Sequence, residues 1–494
     1  MGLDRLRRVA GVLGALCCTE LTRTVHRGTG DAAPHERARE VRRALEELGP
    51  FYIKLGQMLS TRPDIVSRTM IAELENLHDH VHPLPFSDFE PVLAADLGSE
   101  WKEQFRDFDI LEPVGTASLA QVYRVTLRDG SPGVVKIQRP DVAATVLEDM
   151  ALLRKAARIV GKGAPRFNAV VDIDAMLGVL FDAMRPELDF TAEAANMREA
   201  RKAVRDFPTL DVPRVVQATR HVLVQTLAPG RSVREIAPEE LPAALRKAIG
   251  TDLLALQFRG FFVNRMFHAD PHPGNIFVDG EGRATLIDWG MVGRVDRRTS
   301  MTIMLVLLHL ARNDGHGLAK AWTELGHATA WADVPAFAAD MAALTPQIAA
   351  ASLSELNFGV TLTSVLQQST KRGIKTNPVI SVLGKSFANM EGSVRFLAPE
   401  LSITDVFQQQ LARMLAELAK DALSAGNAAR TLVELMLVAD TLTEQARSVT
   451  GDLSDREFTF HVNQNAPART PRSTRLRDGL AGAALAALWA RRNR

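Results

Sequence analysis

Two short segments hold the residues best suited to chemistry: His268-Ala-Asp270-Pro-His-Pro-Gly-Asn275 and, shortly after, Leu286-Ile-Asp288-Trp-Gly290. An aspartate followed five residues later by an asparagine is the spacing of a phosphoryl-transfer loop, in which the carboxylate orients a hydroxyl and the amide takes a metal ion. The stretch between the segments reads as strand, tight turn, strand, which returns Asp288 to the same site. Phosphate oxygens repel one another, so transfer needs Mg²⁺ held by carboxylate and amide oxygens, with little covalent work from the protein. Asn275 and Asp288 supply such ligands, and Asp270 stands where such a loop has the carboxylate that orients the hydroxyl. A rival reading makes His268, Asp270 and His272 the ligands of a hydrolytic metal ion. A histidine packed on the loop is the commoner outcome, and phosphoryl transfer accounts for Asn275 and Asp288 as well.

Such chemistry also needs a cation on the nucleotide phosphates, carried by a strand. Val134-Val-Lys136-Ile fits that strand, although Lys136 in isolation would read as a solvated strand end. The segment that would cover the phosphates, Pro113-Val-Gly115-Thr116-Ala117-Ser118-Leu-Ala-Gln121, is not the usual G-x-G-x-x-G. Its small residues still let backbone approach phosphate, with less freedom at positive φ than glycine has.

Three helices are expected to precede these segments. Val41, Ala44, Leu45 and Leu48 recur at helical spacing within 34–49 and stop at Gly49-Pro50; further helices are expected over 51–61 and Pro63–His78. Phe108–Leu111, Gln121–Leu127 and Val134–Ile137 read as a three-strand meander with Asp129-Gly130 at a hairpin turn. Helical patterns return at 141–160, 172–206, 241–266 and from 300 to 450, with one strand at His221–Leu227, before a polar tether over 457–475. The expected organisation is a helical extension (1–100), a small mixed lobe with inserted helices (101–232), a large helical lobe (233–455) and a basic tail (456–494). This is an α+β chain.

Composition narrows the class. With 494 residues, 46% hydrophobic and 24% charged, neither wholesale disorder nor a polytopic membrane protein is expected. A net charge of +1 is too balanced for a nucleic-acid wrapping protein, so no nucleic-acid partner is expected. The two cysteines, Cys17 and Cys18, build neither a disulfide framework nor a cysteine zinc cage, and a reducing, cytoplasmic setting follows. The first stretch, Arg5-Leu-Arg-Arg-Val-Ala-Gly-Val-Leu-Gly-Ala-Leu-Cys17-Cys18, lacks a small-residue cleavage site and reads as an interfacial helix. Near the other end, Gly479–Ala490 is an apolar run of twelve residues with Arg475, Arg477, Arg491 and Arg492 around it. A bilayer span needs about 20 residues, so this run suits the surface of the inner face of a membrane, or another helix, rather than a crossing.

The loop PVGTASLAQV, the strand VVKIQRP, HADPHPGN and the DWG triplet together resemble the UbiB/ABC1 (AarF, ADCK-like) family of atypical kinases. Phe51-Tyr-Ile-Lys54-Leu-Gly56-Gln57 matches that family's K-x-G-Q signature, and Glu187-Leu-Asp189 its E-x-D motif. Six motifs in order cover roughly residues 35–300. The resemblance implies a protein-kinase-like two-lobed fold with a helical N-terminal extension and extra C-terminal helices. It implies ATP and Mg²⁺ as cofactors, with Gly115, Thr116, Ala117 and Ser118 near the nucleotide, Lys136 on its phosphates and Glu193 as the partner of Lys136. It further implies that Lys54, Gly56 and Gln57 fold over the site and that Lys54 meets Glu187 or Asp189, which leaves room for water or a small acceptor. Gly115 and Thr116 stand where the family usually has alanine, and Trp289 replaces the more usual phenylalanine.

The function implied is an ATP- and Mg²⁺-dependent kinase or ATPase supporting isoprenoid quinone or lipid metabolism, with quinone precursors or lipids as partners. An alternative is a small-molecule kinase of the aminoglycoside or choline type, which does not account for Lys54, Gly56, Gln57, Glu187 and Asp189. Another is a nucleotide-gated lipid-binding scaffold without phosphoryl transfer, against which Asp270, Asn275 and Asp288 argue. Oligomeric state is not legible in the sequence.

Overall fold

In the computed structural model, which describes residues 5–12, 32–60, 66–74, 76–77, 83–163, 177–178, 181–182, 184–350, 358–377 and 379–422, the strand pattern around Lys136 closes into one antiparallel sheet. Its strands are β1 (Phe105–Phe108), β2 (Gly115–Thr116), β3 (Ala120–Leu127), β4 (Pro132–Gln138), β6 (Val215–Ala218) and β7 (Val222–Thr226). Their order is β1-β3-β4-β7-β6, with β2 on β3, so β4 has a neighbour on each side. The β3–β4 turn uses Gly130 at φ +88, and the Asp129 carboxylate accepts the Ser131 N–H at 2.9 Å. Side chains alternate along β4: Val135 and Ile137 enter a core with Phe89, Leu93, Trp101 and Tyr123, and Lys136 takes the opposite face.

The first strand begins earlier than the apolar run Phe108–Leu111 predicts. Ile110 and Leu111 are 48% and 88% exposed, whereas Phe108 lies 5.2 Å from the Trp101 ring and 5.3 Å from Phe105. Aromatic packing onto the turn at Trp101–Gln104 decides which residues join the sheet.

In the extension, Gly49 at φ +97 ends α1 (Ala32–Leu48), and Pro50 opens α2 (Pro50–Ser60), ahead of α3 (Arg68–Leu74). Leu45, Leu48, Phe51, Tyr52 and Leu74 form a second core with Val142, Val146 and Met150 of α5 (Val142–Gly163), which follows α4 (Glu90–Leu97). Residues 5–12 are helical, and Val9 is buried against this group.

The larger core surrounds α7 (Ala243–Phe262), which follows α6 (Phe190–Ala203). Leu253 through Phe258 are buried in succession, so this stretch of α7 is enclosed on all sides. Two strand pairs above it carry the chemistry-bearing segments. β9 (Met266–His268) pairs antiparallel with β12 (Val292–Arg294), and β10 (Ile276–Val278) with β11 (Ala284–Leu286) through a turn with Gly282 at φ +80. β5 (Leu210–Asp211) and β8 (Arg231–Ser232) join that second pair, so the sheet takes in two short pieces of the 101–232 stretch. Helices α8 (Arg297–Ala311), α9 (Gly315–Leu325), α10 (Val334–Ala350), α11 (Phe358–Lys371), α12 (Val379–Leu397) and α13 (Ile403–Ala422) complete the lobe. Two short strands that the sequence reading did not include, Gly326–Ala328 and Ile374–Thr376, pair among them.

The tether, the run Gly479–Ala490 and, within 172–206, residues 172–176, 179–180 and 183 lie outside the described residues. Among the described residues no helix is long and apolar enough to cross a membrane.

Candidate active site

Lys136 leaves the face of β4 that looks away from the small core. Its Nζ lies 3.0 Å from Glu193 Oε2, 3.2 Å from Glu193 Oε1 and 3.0 Å from Asp288 Oδ1. Glu193 occupies the first turn of α6, whose N-cap is Asp189: its Oδ1 accepts the Thr191 N–H at 2.9 Å. Desolvation opposes the charge on Lys136, but Asp288 and Glu193 outweigh it and raise the ammonium above its usual range. The Lys136 charge in turn holds Asp288 far below the ordinary carboxylate range. Burial pushes Glu193 the other way, upward, with Lys136 acting against it.

Asp288 sits at φ +58, a left-handed backbone that aspartate tolerates better than most residues. The bend sends Asp288 toward Lys136 and buries Trp289, whose Nε1 donates to Leu286 O at 3.1 Å. Asn196, one turn beyond Glu193 on α6, donates to Trp289 O at 3.0 Å and ties the helix to the same bend.

The preceding loop is held by its histidines. His268 Nδ1 accepts the Asp270 N–H at 3.1 Å and Nε2 donates to Ile287 O at 3.0 Å, which sets the neutral tautomer; burial pushes its pKa down. With both ring nitrogens engaged, His268 is a strut rather than a metal ligand. His272 Nδ1 accepts the Gly274 N–H at 3.0 Å and caps the turn Pro273–Asn275. Asn275 Nδ2 donates to Asp270 O at 3.2 Å, leaving the amide oxygen as its acceptor end. Desolvation disfavours ionised Asp270, but Lys385, His272 and Lys54 overcome this and lower its pKa.

Asp270, Asp288, Lys136, Glu193, Lys54 and Glu187 line one cleft, together with Ala117 and Ser118. Gly115 and Thr116 lie just outside the lining, in β2 against Val122 and Gln121. Arg139 Nε donates to Ala117 O at 3.1 Å and holds the small-residue loop in place. Lys54 Nζ reaches Glu187 Oε1 at 3.2 Å, so of its two expected partners Glu187 meets it while Asp189 caps α6. Gly56 and Gln57 face the extension instead. A Cβ on Gly56 would collide with the Leu77 and Leu45 side chains, and Gln57 Nε2 donates to Leu77 O at 3.3 Å.

Among the described residues no three His, Cys, Asp or Glu side chains are grouped to cage an ion. Mg²⁺ does not require such a cage, because it is commonly bound by one or two carboxylates plus substrate phosphates. The hard oxygens of Asp288 and Asn275 are chemically suited to it.

Two residues absent from the sequence-derived set reach the site from α12. Asn389 Nδ2 donates to Asp270 Oδ1, and Lys385 Nζ lies 3.8 Å from that oxygen. The one signal for them is the recurrence of polar residues at helical spacing in an otherwise apolar helix.

A family model described as the ABC1 atypical kinase-like domain matches residues 76–322. A curated protein of Cellvibrio japonicus named "Probable protein kinase UbiB" is 32% identical over 376 residues, covering 74% of this chain and 67% of that protein. An uncharacterized protein of Synechocystis is 31% identical over 367 residues, covering 71% and 88%. A solved structure titled "The complex structure of Rv3197-erythromycin from Mycobacterium tuberculosis" is 24% identical with a TM-score of 0.48, covering 72% of this chain and 93% of that one.

Proposed function

The chain belongs to the ABC1 atypical kinase-like family, and on that premise we propose that it is an ATP- and Mg²⁺-dependent phosphotransferase or ATPase of the UbiB type. The observation that carries the proposal is the meeting of Lys136 with both Glu193 and Asp288 at 3.0 Å, in the wall of a cleft that Asp270 also lines. A fixed cation, a carboxylate that stays ionised and a second carboxylate across the cavity are what phosphoryl transfer needs and what a surface ion pair does not.

In this reading residues 101–232 and 233–455 are the lobes that clasp the nucleotide. Glu193 holds Lys136 so that its ammonium meets the phosphates, and Ala117 and Ser118 let the backbone come close. Asp288 and Asn275 would hold Mg²⁺, which supplies charge neutralisation on the phosphate oxygens. Asp270 orients the acceptor. The acceptor oxygen bonds to the γ-phosphorus, the bond from that phosphorus to the bridging oxygen breaks with its electron pair leaving on ADP, and the hydroxyl proton passes to Asp270.

Lys54, held by Glu187, narrows the cleft and favours water or a small lipid-like acceptor over a protein chain. A role in isoprenoid quinone or lipid metabolism, at the inner face of a membrane, rests on the family resemblance. Phosphate release from the full chain with ATP and Mg²⁺ tests the activity against Asp288→Asn, and equal rates would sink it. Repeating the assay with anionic liposomes, phenolic quinone-like compounds, choline and an aminoglycoside tests the acceptor and the setting. Stimulation by the first two alone supports the reading, and stimulation by the last two alone replaces it with the small-molecule kinase.

A further inference from the structure

We propose that α12 is a further wall of this active site, with Asn389 and Lys385 as the positioning residues of Asp270. Asn389 fixes Oδ1, Lys385 holds a cation beside it, and Oδ2 is left to take the acceptor proton. The inference rests on the phosphoryl-transfer reading above and extends it to a helix beyond the family-matched residues 76–322.

The geometry is a stripe. Lys385, Ser386, Asn389 and Ser393 fall at i, i+1, i+4 and i+8, which a helix places along one side. All four address the loop His268–Pro271. Ser386 Oγ donates to His268 O, Ser393 Oγ donates to Pro271 O at 2.8 Å, Asn389 Nδ2 donates to Asp270 Oδ1, and Lys385 Nζ stands 3.8 Å from the same oxygen. Ser386 and Ser393 are each 0% exposed, so their hydroxyls are satisfied by that loop. Gln257 on α7 donates to Ser386 Oγ and locks the stripe from behind. The rest of α12 is anchored in the large core by Leu383, Phe387, Met390 and Val394.

This arrangement has a chemical consequence. A carboxylate that is to accept a proton must present one oxygen and have the other held, and both contacts from α12 go to Oδ1. Among the described residues no hydrogen bond reaches Oδ2. At 3.8 Å Lys385 is beyond a fixed hydrogen bond, so it contributes charge without occupying the second oxygen. Asn389 can only donate here, which makes it an orienter and not a competing base.

Steady-state phosphate release and binding of a fluorescent ADP analogue, measured on the full chain, test the assignment. Lys385→Met and Asn389→Ser are expected to lower kcat about 10- to 100-fold. KM for ATP and analogue affinity should stay within about threefold of wild type, because the nucleotide groups are untouched. Lys385→Arg should recover most of the rate. Wild-type kcat in both variants would overturn the assignment. So would kcat, KM and melting temperature moving together, with arginine no better than methionine, since that is the signature of a structural helix. Should Asn389→Ser fail to fold, the half-buried Lys385 pair of variants decides alone. A wild-type chain that releases no phosphate would instead overturn the functional reading, and this assignment with it.

Discussion

Lys136 and Asp288, 152 residues apart in sequence, meet at 3.0 Å across the cleft. One comes from the central strand of the small sheet and the other from a left-handed bend of the large lobe. Their contact joins the two halves of the site, and in the proposed reaction the phosphates would share the ammonium or displace the carboxylate.

Lys136→Met leaves Glu193, 2% exposed, without its counter-charge. A loss of about 3 kcal/mol in urea unfolding is expected. Lys136→Met combined with Glu193→Gln should lose less than the sum of the single variants, because the stranded carboxylate is gone. Additive losses would mean that the pair does not act as a unit.

Asp189 is a helix cap. Asp189→Ala removes the acceptor for the Thr191 N–H and should lower stability by about 1 kcal/mol, whereas Asp189→Ser, itself a good cap, should keep most of it. Calorimetric melting of the three proteins checks the order, and alanine equal to aspartate would refute the capping role.

The extension is expected to be sensitive at Gly56. Gly56→Ala drives a methyl into Leu77 and Leu45 and should destabilise the helical extension by about 1 to 3 kcal/mol, read as faster proteolysis within residues 32–77. Unchanged cleavage would show that the Leu45 and Leu77 side chains give way without loss.

Acid should weaken the fold through His268. Its pKa is lowered by burial, so between that lowered value and about 6.5 the unfolded chain binds a proton that the native chain refuses. Stability then rises with pH through this window by up to about 1.4 kcal/mol per pH unit, is complete above it, and loses nothing further from this group below it. Urea unfolding at pH 7.5, 6.5 and 5.5 should show the slope, and His268→Gln should flatten it. An unchanged slope in the variant would assign it elsewhere.

The elements were legible where the signal was local. Gly49-Pro50 separates two helices because one residue adopts positive φ and the next begins a helix without needing its N–H. The start of β1 was not legible, since exposed Ile110 and Leu111 carry the same apolar signal as buried Phe105 and half-buried Phe108. The short pairings of β5 and β8 escaped too, because two-residue strands have no period to read.

By itself the sequence determined which side chains could bear the chemistry. Asp270 and Asn275 share one loop, a short hairpin returns Asp288, and strand alternation turns Lys136 away from Val135 and Ile137. Only the tertiary structure decided the partners. Lys54 had two candidate acids, and capping of α6 occupies Asp189 while Glu187 meets the lysine. Asn389 and Lys385 reach Asp270 from 119 and 115 residues away, a meeting set by how α12 packs on α7. Helical periodicity tells which residues share a face, but the loop that face meets depends on the packing of separate elements, which no local spacing encodes.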